Sequence, residues 1–89
     1  MKTAPVTIPN RLGLHARAAA RLVSTASGFS SQVYLERDGN RVNGKSIMGV
    51  MMLAASQGSE ITVITDGNDE EQALTALLAL IHDGFGEEQ

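Results

Sequence analysis

His15 is the residue with the most chemistry to offer. It stands in "NRLGLHARAAARL", residues 10–22, where a Gly-containing turn runs into an alanine-rich stretch. A histidine just ahead of a helix meets the free N–H groups of the first turn and the positive end of the helix dipole, a setting that favours an anion. Arg17 follows two residues on. A cation in the first turn opposes the dipole, so helix stability does not explain it. Its guanidinium suits bidentate contact with phosphate oxygens. Neutral imidazole is a competent nucleophile near pH 7. His15 with Ala16 and Arg17 at a helix N-terminus therefore makes a place to hold a phosphoryl group on nitrogen. The competing reading is an exposed loop histidine with no task.

Little else in the chain offers chemistry. The other histidine, His82, falls near the end of the last helical stretch, where a cation favours the helix C-terminus. There is no cysteine, no His pair at helical spacing and no carboxylate set that suggests a metal. A second acid–base group near His15 and a Gly-rich nucleotide loop are also missing, which argues against a stand-alone enzyme and implies no cofactor. Ser46, in "GKSIMGV", precedes an apolar run and reads as a helix N-cap.

These residues must be positioned by a small set of elements. "PVTIP" alternates Val6 and Ile8 between prolines, which predicts a short strand near an edge. Residues 16–27 predict a helix with Ala19, Leu22, Val23 and Ala26 inward, Arg17, Arg21 and Ser24 outward, and Gly28 at C′. "SQVYLERDGNRVNG" reads as a hairpin turning at Asp38-Gly39. Ser46 opens a second helix that Gly58 ends, and "SEITVITDG" is a strand. The last helix has Asn68 as cap, Glu71 three residues on, a core stripe of Leu74, Leu77, Leu78 and Ile81, and Gly84 to close it. The order β-α-β-β-α-β-α predicts one α+β domain over residues 1–89, a two-layer sandwich with helices on one face of a mostly antiparallel sheet.

Composition narrows the setting. The 89 residues allow one modest core. No apolar run approaches the ~20 residues of a membrane span, and the first residues lack a signal-peptide h-region. A cytoplasmic protein is expected, and nothing signals an obligate oligomer, so a monomer is expected too. The net charge of -3 is unevenly placed. Residues 1–45 hold all seven Lys and Arg against two acids, and residues 46–89 hold eight acids and no Lys or Arg. The blander account is chance plus an acidic tail at Glu87–Glu88. The functional one is a basic face, including Arg11, Arg17, Arg21 and Lys45, for an anion or an acidic partner. Nucleic acid does not fit an acidic chain with three aromatics and no basic–aromatic interleaving.

"LGLHAR" before an apolar helix, followed by "GKSIMGVMMLAASQGSEI", resembles the HPr family of phosphocarrier proteins over almost the whole chain. The resemblance implies an open-faced sandwich, a four-stranded antiparallel sheet under three helices. It implies that His15 takes a phosphoryl group on Nδ1 from phosphorylated enzyme I and passes it to an enzyme IIA domain of the phosphotransferase system. Arg17 would attend the histidine. Ser46 matches the serine that HPr kinase/phosphorylase modifies in many bacteria. The second helix is apolar nearly all round. Val50, Leu53 and Ala54 share one arc, and Ile47, Met48, Met51 and Met52 share another. The family makes Ile47, Met48 and Met51 the partner-facing patch, with Arg17, Arg21 and Lys45 at its rim. One departure stands out: Ala18 replaces the family's usual Pro, at a cost of at most about 1 kcal/mol and with a looser helix start expected. A nitrogen-branch paralogue shares this chemistry, and a regulatory module acting through the Ser46/Met48 surface is the alternative from another class.

Overall fold

The structure is a computed structural model and describes residues 1–87. Its elements run β1 (Lys2–Thr7), α1 (Ala16–Ser27), β2 (Gln32–Arg37), β3 (Asn40–Asn43), α2 (Ile47–Met52), β4 (Glu60–Asp66) and α3 (Glu70–His82), followed by a 3-10 turn at Gly84–Gly86. That is the expected order. The strands form one antiparallel sheet in the order β1-β4-β2-β3. Alternation puts Val6, Val33, Leu35, Ile61 and Val63 on one face. There they join Ala18, Ala19, Leu22 and Ala26 of α1, Val50 of α2, and Leu77 and Ile81 of α3 in a single apolar core. Burial of this face is the main term holding helices to sheet.

α1 spans the predicted residues, and its apolar stripe is Ala18, Ala19, Leu22 and Ala26, with Val23 half-buried. At its start Ala18, in place of the expected Pro, is fully buried in a first turn that begins at Ala16. Gly28 is the C-cap itself, with a right-handed φ of -75°. The hairpin turns where expected, with φ of 51° at Asp38 and 83° at Gly39, the left-handed pair that a tight two-residue turn requires.

Three boundaries differ from the expectation. β1 begins at Lys2 and contains Pro5, because an edge strand has only one neighbour and tolerates the missing N–H. α2 stops at Met52, six residues before Gly58. There Ala54 turns to a φ of 53°, and the Arg37 guanidinium takes the Leu53 and Ala54 carbonyls at 3.2 and 3.4 Å. The N-cap of α3 is Asp69, not Asn68. Its carboxylate is drawn away to Ser31, accepting from the main-chain N–H at 2.9 Å and from the hydroxyl, and to the Ser30 N–H at 2.9 Å. It makes no capping bond to α3, and Glu70 in the first turn accepts the Gly67 N–H ahead of the helix at 3.1 Å. In the α3 stripe, Ala73, Leu77 and Ile81 are buried, and Leu74 and Leu78 are half-buried.

The loop before α1 is fastened to the rest of the fold. Leu14 N–H donates to the Ala55 carbonyl at 2.9 Å. Gly13 has a φ of +67°, and a Cβ there would lie 2.5 Å from the Ala55 oxygen, so only glycine fits. Asn10 is fully buried, and its amide donates to the Gly13 carbonyl at 2.8 Å.

Candidate functional site

His15 is the N-cap of α1, in extended conformation (φ -74°, ψ 178°). Its Nδ1 accepts the Arg17 main-chain N–H at 3.3 Å, and its carbonyl accepts the Ala19 N–H at 2.9 Å. An accepting Nδ1 carries a lone pair, so the ring proton resides on Nε2. The Nδ1 edge thus points at the first turn of α1, where Ala16 and Arg17 are exposed. His15 thus caps the helix with its own side chain, and the cap geometry turns Nδ1 toward the first turn.

The opposite edge of the ring meets Glu87. Nε2 donates to Glu87 Oε2, while Glu87 Oε1 accepts from the Asn10 amide at 2.8 Å. The sequence suggested only an acidic tail here; Glu88 lies outside the described residues. Glu87 reaches the site because the chain folds back after α3. Gly84 and Gly86 both have positive φ, and Phe85 between them, at φ 60°, is wholly buried in the core. The Phe85 carbonyl accepts from the Arg21 guanidinium. Burial of the Glu87 carboxyl works to raise its pKa. The Asn10 and His15 hydrogen bonds, with the charges of His15 and Arg21, outweigh this and hold it below the ordinary carboxylate range. Glu87 is therefore ionised near neutral pH.

Arg11, Leu12, Arg17, Arg21, Gly86 and Glu87 line a depression of about 360 Å³ beside the ring. Three arginines against one glutamate in its lining give it a net positive charge, which suits an incoming anion.

Ser46 has the expected role, its Oγ accepting the Gly49 N–H at 3.1 Å as the N-cap of α2. On α2, Val50 and the following Leu53 face inward. Ala54 is exposed, unlike the arc it was assigned to. Met48 and Met52 are 73% and 77% exposed, and Ile47 and Met51 are 45% and 42% exposed, so the structure leaves the Ile47–Met48–Met51 arc uncovered. The expected basic rim is more tightly held than the sequence suggested. Arg21 is tied to Phe85, and Lys45 Nζ donates to the Phe29 carbonyl at 2.7 Å, on the loop after α1. His82 sits exposed in the last turn of α3.

Asn10, Phe85 and Glu87 are the participants that sequence reasoning missed. A Phe set between glycines directly after a helix, "GFG", was the one available signal of a docked tail. Among the described residues, no group of three or more His, Cys, Asp or Glu could hold a metal ion, and no helix is long and apolar enough to cross a membrane.

An open-faced sandwich that offers one histidine nitrogen at a helix N-terminus, under a cluster of arginines, defines a narrow class of small protein. The family model described as "PTS HPr component phosphorylation site" matches residues 2–83, and the chain belongs to this PTS-HPr family. It is 60% identical over 81 residues to phosphocarrier protein HPr of Cupriavidus necator, covering 91% of each chain. It is 51% identical over 76 residues to the HPr-like protein Crh of Halalkalibacterium halodurans, covering 85% of this chain and 90% of that one. The crystal structure of HPr-C-His from Thermoanaerobacter tengcongensis superposes with a TM-score of 0.96 at 52% identity, with both chains covered in full. The resemblance read from the two sequence motifs and the fold it implied are both borne out.

Proposed function

We propose that this protein is a phosphocarrier of the phosphotransferase system, in which His15 Nδ1 accepts a phosphoryl group from phosphorylated enzyme I and yields it to an enzyme IIA domain. The observation that carries the reading is the presentation of the Nδ1 lone pair to the α1 N-terminus beside Arg17. Nδ1 attacks phosphorus as the donor's bond to phosphorus breaks, and no proton moves. The phosphoryl oxygens meet the N–H groups of Ala16 and Arg17 and the Arg17 guanidinium, which neutralise charge that would otherwise repel the acceptor. Most of this catalysis is positioning and electrostatics, which two docked proteins supply together. The protein is a reactant in the relay and turns over no substrate alone.

Docking falls to the uncovered Ile47, Met48 and Met51, with Arg17, Arg21 and Lys45 nearby. Ser46, half-buried at the edge of that arc, is the regulatory site for an HPr kinase/phosphorylase. A phosphate there would sit favourably at the start of α2 and place negative charge where partners bind. The reading assigns a single-domain, monomeric, cytoplasmic protein that needs no cofactor. A nitrogen-branch carrier would use the same residues with a different donor and acceptor, and partner-specific transfer rates separate the two. The exposed methionines also support a second reading, a regulatory module that works through the Ser46/Met48 surface.

Intact mass after incubation with phosphoenolpyruvate and enzyme I from the same organism tests the carrier reading. One added phosphoryl group is expected, lost in mild acid and absent from His15→Ala. No adduct with an active enzyme I would overturn it. A His15→Ala protein that kept full partner binding and cellular function would favour the regulatory module.

A further inference from the structure

The relay needs Nδ1, yet the most elaborate contacts in the site are made at Nε2. Glu87 approaches that nitrogen on a tail held from several sides. Phe85 is sunk in the core, Arg21 grips the Phe85 carbonyl, and the buried Asn10 holds Oε1 at 2.8 Å so that Oε2 faces the ring. The Glu87 side chain is only 12% exposed. Asn10 is itself fixed on the Gly13 carbonyl, within the loop that carries His15. A surface acid in an idle tail would have none of these restraints.

We propose that Glu87 is a positioning residue for His15, one that keeps the ring proton on Nε2 through both halves of the relay. The proposal rests on the carrier reading above. In the unmodified protein the pairing selects the tautomer with a lone pair on Nδ1, the form able to attack phosphorus. Once the N–P bond has formed, the ring bears phosphorus on Nδ1, a proton on Nε2 and a positive charge. Glu87 then pairs with a cation. If Nε2 lost its proton, the group leaving in the next transfer would be an imidazolate anion. With the proton held, it leaves as neutral imidazole, and the electron pair of the N–P bond returns to Nδ1. The same contact therefore favours acceptance and donation. The other charged groups lining the depression are Arg11, Arg17 and Arg21. All three oppose a cationic ring, and among the described residues lining the depression the Glu87 carboxylate is the charge that offsets them. The restrained Glu87 carboxyl is also held below its ordinary titration range, so it is ionised where the relay would run.

The test uses the full chain and two variants, Glu87→Gln and Glu87→Asp. Gln keeps the shape and removes the charge, and its single carbonyl oxygen can accept from either the Asn10 amide or Nε2–H, not both. Nitrogen-15 NMR of His15 reads the tautomer directly. Transfer from the phosphorylated protein to an acceptor IIA domain, followed against pH, reads proton retention on Nε2. Expected for Glu87→Gln are a mixed tautomer population and an alkaline limb roughly one pH unit lower than wild type, with both features restored in Glu87→Asp. A Glu87→Gln protein with the wild-type tautomer and pH profile would overturn the proposal and leave Glu87 a packing residue. If the wild-type chain itself took no phosphoryl group, the carrier reading and the relay role would fall together. The tautomer in unmodified protein would still report on the contact.

Discussion

Arg17 enters the site twice, through its main-chain N–H to Nδ1 and as a residue lining the depression, where its side chain carries the charge. Arg17→Ala removes only the second. It is expected to slow phosphoryl transfer roughly 10- to 100-fold, the loss of one charge-assisted contact, in rapid-quench measurements with the fold unchanged. Ser46→Ala removes the α2 cap and is expected to lower stability by about 1 kcal/mol in urea titration. Ser46→Asp keeps a capping oxygen and should lose less. His15, Arg17 and Ser46 were legible in the sequence because their settings are local: each lies within a turn of the helix it serves. Asn10 and Glu87 were not. They meet across 77 positions, and neither residue type announces such a partner. A buried asparagine looks like a turn residue, and a terminal glutamate looks like solubility.

The elements show the same division between local and distant causes. α1 and the β2–β3 hairpin followed from apolar period and turn chemistry. The end of α2 and the cap of α3 did not, because Arg37 and Ser31, both distant in sequence, decide them. Asp69 makes one such distant tie measurable. The Ser31 hydroxyl and the Ser30 N–H, with the Ser31 N–H, outweigh burial and lower its pKa from the ordinary 3.8 to about 2. A depressed carboxylate stabilises the fold above the unfolded value, and that stability is lost as pH falls from about 4 to about 2. Asp69→Asn should therefore unfold more readily at pH 7 and show a shallower loss of stability through that window, read by denaturant titration at each pH. The docked tail is an element in its own right. Phe85→Ala is expected to remove about 3–5 kcal/mol of stability and to free Glu87, so its His15 tautomer should resemble that of Glu87→Gln by NMR.

At the scale of the molecule, charge and shape separate two ends. Acids gather at the start of α3, where the Met1 amine pairs with Glu70 at 3.1 Å and Asp66 at 3.6 Å and Lys2 pairs with Glu71 at 3.3 Å. Arg11, Arg17 and Arg21 collect where the chain returns after α3. A helix of this length separates its ends by roughly 20 Å, so the uneven charge of the sequence becomes an electric polarity of the fold. Association with an acidic partner is expected to slow roughly tenfold as salt rises from about 0.05 M to about 0.5 M, measurable by stopped flow. The sequence displayed the two signed halves plainly, but not that Lys2 would pair at the start of α3 or that Glu87 would join the arginines. The sheet edges carry a different consequence. One border is β1, with its proline and lysine; the other is β3, only four residues long and bearing Arg41. Such borders are poor templates for a neighbouring chain's backbone. Neither border invites chain-on-chain growth, and the sedimentation coefficient is expected to stay constant as the protein concentration is raised.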